Sequence, residues 1–115
     1  MYLKESEIEG WLKSRIEKKG GLFIKFTSPG NDGVPDRIVM LPGGRIVFLE
    51  LKTRYGKLSA VQKYQIGRLL KLNAEVAVIF GADAAEDFLQ DALHFVVIGH
   101  AYYGRGESEP LEEII

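Results

Sequence analysis

The sequence predicts one α/β domain in which helices flank a mixed β-sheet, in the order α-β-β-β-α-β-α-β. Apolar residues recur in some stretches at helical spacing and in others as short strand-like runs, and the two kinds of stretch alternate along the chain. Pro42-Gly43-Gly44 joins two neighbouring apolar runs as a hairpin turn. A length of 115 residues suits one domain, residues 1–115, that is large enough for its own core.

The first predicted elements are a helix at 4–19 and a short strand at 22–27. Ile8, Leu12 and Ile16 recur at helical spacing, which places the neighbouring Trp11 beside the core, and Gly20-Gly21 ends the helix. Residues 28–35, SPGNDGVP, are rich in turn-forming residues and predict a loop.

The hairpin follows, with strands at 37–41 and 45–52. Ser59 is suited to cap a helix that continues to about Leu72, and Asn73 is suited to end it. Residues 75–80 predict a strand, 83–91 a short acidic helix and 94–98 a last strand. The acidic end, 104–115, is predicted as a loose tail or as an arm that contacts a second subunit.

Composition excludes several classes of site. The chain has no cysteine, which excludes disulfides and thiolate metal sites, and its two histidines are too few for a histidine-rich one. No apolar run approaches the ~20 residues of a membrane span, and the first residues lack the apolar segment of a signal peptide. We therefore expect a cytoplasmic protein.

Charge is divided unevenly along the chain. Residues 1–72 contain 14 of the 15 Lys and Arg residues and 7 of the 16 acids, whereas 73–115 contain one arginine and 9 acids. This division favours an anionic partner for the first part. The alternative is that two solvated faces differ by chance.

The hairpin is predicted to bring two carboxylates together. A turn centred on Gly43 places Asp36 opposite Glu50, and the two-residue repeat of a strand puts Glu50 and Lys52 on one face. Adjacent carboxylates repel each other and favour a bound cation. Oxygen ligands, with the backbone carbonyl of Leu51 as a further one, favour Mg²⁺ or Mn²⁺, and a nearby lysine can activate water. The alternative is a structural salt-bridge cluster that also includes Arg37 or Arg54.

Pro35-Asp36, followed after thirteen residues by Glu50-Leu51-Lys52, resembles the PD-(D/E)xK nuclease signature. The longer string GVPDRIV…PGGRIVFLELK…GKLSAVQ resembles the VRR-type (virus-type replication-repair) nucleases, over about residues 5–80. The resemblance implies a restriction-endonuclease-like core and a standalone phage-like nuclease, located in the cytoplasm of a bacterial or phage-infected host cell.

The resemblance also implies roles for individual residues. Asp36 and Glu50 would bind a Mg²⁺ or Mn²⁺ ion, Lys52 would help to activate water, and Gln62 would complete the catalytic set. A glutamate of the first helix would join the metal site. Both Glu5 and Glu9 lie near the buried face of that helix, and Glu9 is slightly favoured; either could instead only complement the helix dipole.

DNA is the partner that the resemblance implies. Basic residues near the predicted site are suited to contact phosphates, and Tyr55 is suited to stack on a base; the candidates are Lys25, Arg37, Arg45, Arg54, Tyr55, Lys57 and Lys63. The 28–34 loop beside Asp36 could follow the DNA backbone or be an ordinary connection.

With no helix-turn-helix or zinc finger, we expect recognition of DNA structure, such as a Holliday junction, by a homodimer. Tyr102-Tyr103 and Ile114-Ile115 could serve the interface between its subunits. The alternative functions are a nuclease-like DNA-binding module without hydrolytic activity and an interaction domain with a salt-bridged edge.

Overall fold

The computed structural model describes residues 3–93, 100–104 and 107–110. Its elements, in chain order, are α1 (Glu5–Lys18), β1 (Leu22–Lys25), β2 (Arg37–Leu41), β3 (Arg45–Lys52), α2 (Ala60–Lys71), β4 (Val76–Phe80), α3 (Gly81–Leu93), β5 (His100–Gly104) and β6 (Glu107–Pro110). The predicted order of helices and strands is confirmed, and β6 adds one more strand.

One mixed sheet contains all six of these strands, in the spatial order β1-β2-β3-β4-β5-β6. β1, β2 and β3 are antiparallel to each other, and β4 and β5 continue the sheet parallel to β3. β6 then pairs antiparallel with β5. The parallel pairs require crossover connections, which α2 and α3 supply.

The two faces of the sheet carry separate cores. α1 and α3 cover one face, where Leu12, Val47 and Phe88 are fully buried. α2 covers part of the other face and packs Ile66 and Leu70 against β4. Trp11 is half-buried against the first core, as its position beside the apolar stripe predicts.

The hairpin turn depends on glycine. Gly43 and Gly44 have φ angles of 92° and 87°, a region in which residues with a Cβ are strained. Gly44 N–H donates to the Leu41 carbonyl at 3.0 Å and closes the turn. The register of β2 and β3 is set by this short connection.

The end of the chain differs from the prediction. The strand expected at 94–98 lies outside the described residues, and β5 is found at 100–104 instead. Part of the predicted tail is β6, which pairs with β5. Ile114 and Ile115 also lie outside the described residues. No helix in the part of the chain that the structure describes is long and apolar enough to cross a membrane.

Candidate active site

The hairpin brings Asp36 and Glu50 to the same end of the sheet. β2 and β3 pair from Leu41 with Arg45 to Arg37 with Leu49, so the next pair outward is Asp36 with Glu50. On the other side of Asp36, its carbonyl accepts a hydrogen bond from Phe26 N–H at 2.9 Å. This is the register predicted from the sequence, and residues directly opposite each other in such a pair have Cβ atoms about 5 Å apart.

Alternation along β3 decides which face carries the polar side chains. Val47, Leu49 and Leu51 are buried in the core that α1 and α3 cover. Phe48 packs on the opposite face, in the core formed with α2. Glu50 and Lys52 share the parity of Phe48 and therefore point to the α2 side of the sheet.

Glu50 is a buried carboxyl group in an unfavourable environment for its charge. Only 4% of the residue is exposed. Burial, and then the negative charge of Asp36, raise the pKa of Glu50 to about 7, against the opposing effect of Lys52. No hydrogen bond or ion pair within the described residues neutralises it. The salt-bridge cluster considered as an alternative is therefore not formed around Glu50 and Lys52 in the described structure.

Arg37 lies on the other face of β2 and is 8% exposed. Its Nη2 donates to Glu9 Oε2 at 2.6 Å, and its Nη1 lies 2.8 Å from Asp36 Oδ1. Burial opposes the charge of Arg37, but the hydrogen bond that Arg37 donates to Glu9 and the charge of Asp36 raise the pKa of Arg37 on balance. The structure therefore encloses Arg37 between Glu9 and Asp36, and its partners do not include Glu50.

The two candidate glutamates of α1 have different surroundings. Glu9 is bound to Arg37, and this hydrogen bond lowers the pKa of Glu9. Glu5 lies one turn earlier, is half-buried, and is close enough to Glu50 that its charge raises the pKa of Glu50 further. Periodicity placed both residues near the buried face of α1, but only the structure separates their partners.

Gln62 takes part in the start of α2. Its N–H donates to Ser59 Oγ at 3.2 Å, and its Oε1 accepts from Ser59 N–H at 2.8 Å. The pair forms a capping box, which satisfies donors at the helix N-terminus. The side-chain NH₂ group of Gln62 remains as its further donor.

The 28–34 loop is fixed against α2. Gly33 has a φ of 90°, and a Cβ there would lie 2.7 Å from the carbonyl oxygen of Val61. Gln65, only 7% exposed, donates from Nε2 to the Asp32 carbonyl at 3.0 Å. Sequence reasoning missed this anchor, although a glutamine on the buried side of α2 next to Ile66 was a signal for it.

The predicted phosphate contacts are placed in two groups. Those exposed on the surface are Lys25, Arg54, Lys57 and Lys63. Arg45 pairs instead with Glu75 at 2.7 Å, near the hairpin turn at the opposite end of β3 from Glu50. Tyr55 is 70% exposed, and the guanidinium of Arg54 lies 5.6 Å from its ring centroid.

The donor set fits a hard divalent cation. Asp36 Oδ1 is shielded from solvent and, despite its closeness to Arg37, has no hydrogen-bond donor in suitable geometry. A cation there would favour the charged form of Glu50, which the metal-free protein disfavours. Within the described residues, no three carboxylate or imidazole groups form a complete cage. Mg²⁺ needs fewer than three such protein ligands, because it commonly keeps several water ligands beside one or two carboxylates.

No family model matches the chain. It is 42% identical over 81 residues to "Putative nuclease p44" of Acyrthosiphon pisum secondary endosymbiont phage 1, a match that covers 70% of this chain and 87% of that protein. Its fold is similar to a solved structure described as "VRR_NUC domain", with a TM-score of 0.70 and 31% identity, over 75% of this chain and 94% of that one.

Proposed function

Because the chain belongs to the VRR-type nuclease family, we propose that it is a metal-dependent endodeoxyribonuclease. Its substrate would be structured or branched DNA, including the Holliday junction, in replication, recombination or repair in a bacterial or phage-infected cytoplasm. The observation that carries the proposal is the buried Glu50 opposite Asp36, with Lys52 on the same face of β3. Carboxylates and a lysine so placed fit hydrolysis of a phosphodiester.

Asp36 and Glu50, with the carbonyl of Leu51, would hold a Mg²⁺ or Mn²⁺ ion. The ion would polarise the scissile phosphate and lower the pKa of a bound water. Lys52 would orient the attacking water and balance the negative charge that develops on the phosphate. Gln62 would support Lys52 or the water with its side-chain NH₂ group, because its Oε1 already accepts from Ser59.

For the carboxylate of the first helix, the surroundings of the two candidates favour Glu5. Glu5 acts electrostatically on Glu50, whereas Glu9 is bound to Arg37, which in turn lies beside Asp36. Glu9 would then position Asp36 through Arg37 rather than bind the ion.

Glu5→Gln should therefore raise the Mg²⁺ concentration needed for half-maximal cleavage by about tenfold or more, since an outer partner or weak ligand of a metal site contributes about that much. Glu9→Gln should remove one of the two negative charges that face the buried Arg37 and lower the thermal midpoint by several degrees. Metal titrations and melting curves of both variants decide the assignment. A strong metal effect from Glu9→Gln alone would favour Glu9 as the ligand.

DNA would approach from the α2 side of the sheet, where Glu50 and Lys52 point. Arg54 and Lys57 lie in the loop between β3 and α2, Lys63 lies in the first turn of α2, and all three are exposed. Their contacts would be to phosphates, tolerant of base sequence and sensitive to salt. Cutting two strands of a symmetric junction requires two such sites, and we propose a homodimer for this reason.

The test is cleavage of end-labelled Holliday junction, flap, nicked duplex, linear duplex and single strand, each with Mg²⁺, Mn²⁺ or chelator. We expect cleavage of a branched substrate with either ion and none with chelator. Binding that depends on salt, without cleavage of any substrate by either ion, would instead identify a DNA-binding module. Equal cleavage with chelator would contradict the metal mechanism.

A further inference from the structure

The segment that follows Glu50 is basic and free of acids. Residues 51–74 include six Lys and Arg residues and no Asp or Glu; the six are Lys52, Arg54, Lys57, Lys63, Arg68 and Lys71. This segment forms the end of β3, the loop after it and all of α2. The layer of the protein on the face of Glu50 and Lys52 is therefore suited to a polyanion.

Tyr64 stands out on this layer. It is 64% exposed on α2, and the guanidinium of Arg68, one helical turn further on, lies 5.9 Å from its ring centroid. An aromatic side chain stabilises a fold mainly when it is buried, so a ring as exposed as that of Tyr64 contributes little to the stability of the protein. A ring with a guanidinium beside it can still accept a flat, electron-rich partner on its surface.

Arg68 is held in place by contacts that lead back to the loop beside Asp36. Its Nη1 donates to Gln65 Oε1 at 3.1 Å, and Gln65 Nε2 donates to the Asp32 carbonyl at 3.0 Å. Gln65 is 7% exposed, so this link is largely closed to solvent. Hydrogen bonds thus connect Arg68 to the 28–34 loop, and the Tyr64 ring lies against Arg68 at the other end of this connection.

A second pair of the same kind lies nearer the catalytic lysine. The guanidinium of Arg54 lies 5.6 Å from the ring centroid of Tyr55. The neighbouring Gly56 is so close to Lys52 that a Cβ at Gly56 would lie 3.2 Å from Lys52 Cβ. Two exposed tyrosines therefore accompany the acid-free segment, one beside Lys52 and one on α2.

We propose that Tyr64, positioned by Arg68, is a platform on which an unpaired DNA base stacks beside the cleavage site. This proposal rests on the proposed function and specifies its substrate: branched DNA with an unpaired arm, such as a flap, is bound in preference to a continuous duplex. Bases in a duplex already stack on each other, so only unpaired ones gain from an aromatic platform. Stacking of this kind tolerates any base, which suits recognition of DNA structure.

The experiment measures binding with chelator present, so that no cleavage occurs. A flapped DNA carries 2-aminopurine in its unpaired arm, and a duplex of equal length serves as reference. We expect the wild type and Tyr64→Phe to quench the 2-aminopurine. Tyr64→Ala should bind the flap about tenfold more weakly, a loss typical of one stacked base, with duplex affinity unchanged within about twofold.

Leu72→Ala is the matched control, because Leu72 is 80% exposed at the end of α2. It should match the wild type on both DNAs. Equal losses of flap and duplex binding by Tyr64→Ala, an unchanged flap affinity, or the absence of quenching in the wild type would each overturn the proposal. The absence of DNA binding by the wild type would also overturn it.

A different result would show that the proposed nuclease function is wrong. A wild type that binds the flap through Tyr64 but cuts no DNA with Mg²⁺ or Mn²⁺ would contradict the nuclease mechanism and leave the platform supported. If the wild type cleaves branched DNA and Tyr64→Ala binds and cleaves every flap as well as the wild type, the nuclease mechanism would be supported and the platform contradicted.

Discussion

Replacing Lys52 with methionine, or Asp36 with asparagine, is expected to reduce the rate of DNA cleavage by about a thousandfold or more. Each change keeps the approximate size of the side chain but removes a charge that, in the proposed mechanism, stabilises the reacting phosphate or holds the ion, and such groups contribute about this much. The measurement is single-turnover cleavage of the best branched substrate at saturating Mg²⁺. The fold is checked by circular dichroism and thermal melting.

Controls of equal chemistry are available away from the site. Lys18→Met, at the end of α1, and Asp87→Asn, on α3, change exposed charges of the same kinds. Both should cleave at the wild-type rate. If Lys52→Met and Asp36→Asn retained wild-type cleavage, the mechanism assigned to the hairpin would be wrong.

Replacing Glu50 with glutamine is expected to change how the stability of the metal-free protein depends on pH. The pKa of Glu50 is about 7 in the folded protein, above the ordinary value of 4.5. Between these values the unfolded chain loses the proton while the folded protein retains it. The free energy of unfolding therefore falls as pH rises across that window, by about 3 kcal/mol in total.

Glutamine has no proton to lose, so the Glu50→Gln variant should not show this fall. The wild type should lose about 3 kcal/mol relative to the variant between pH 4.5 and pH 8, as measured by urea unfolding in chelator. Glu86→Gln, an exposed change on α3, should follow the wild type at each pH. A constant difference between wild type and Glu50→Gln across this range would show that Glu50 titrates normally.

The same variant tests the metal site from the opposite direction. Saturating Mg²⁺ should stabilise the wild type at pH 8, because an ion that binds only the folded protein shifts the unfolding equilibrium. It should stabilise Glu50→Gln much less, because the ligand charge is gone. The proposed metal site therefore gives the Glu50 carboxylate two opposite effects: its charge destabilises the metal-free fold and binds the ion.

The hairpin was predictable because its information is local. The strands at 37–41 and 45–52 agree with β2 and β3, and the turn at Gly43 correctly placed Asp36 opposite Glu50. A short turn and a two-residue repeat determine register and facing direction without knowledge of the rest of the fold. The start of α2 was equally local, since Ser59 and Gln62 cap it as a pair.

What could not be predicted depends on contacts between distant segments. Helical periodicity gives the buried face of α1, but it does not say that Glu9 meets Arg37, 28 positions later, while Glu5 approaches Glu50. The anchoring of the 28–34 loop by Gln65 across 33 positions is a contact of the same type. β6 was missed because Glu107–Pro110 has the composition of a solvated tail and becomes a strand by pairing with β5.

The glycine turn between β2 and β3 also bears on whether misfolded copies of the protein can damage the DNA of the cell that makes it. A slip of one residue in the hairpin would turn Glu50 and Lys52 towards the apolar layer of α1 and α3, and would turn Leu51 outwards. A molecule with this wrong register would therefore lose both its core packing and its candidate active site. Copies that fold incorrectly should be harmless to the genome, because only the native pairing assembles the groups that we propose cut DNA.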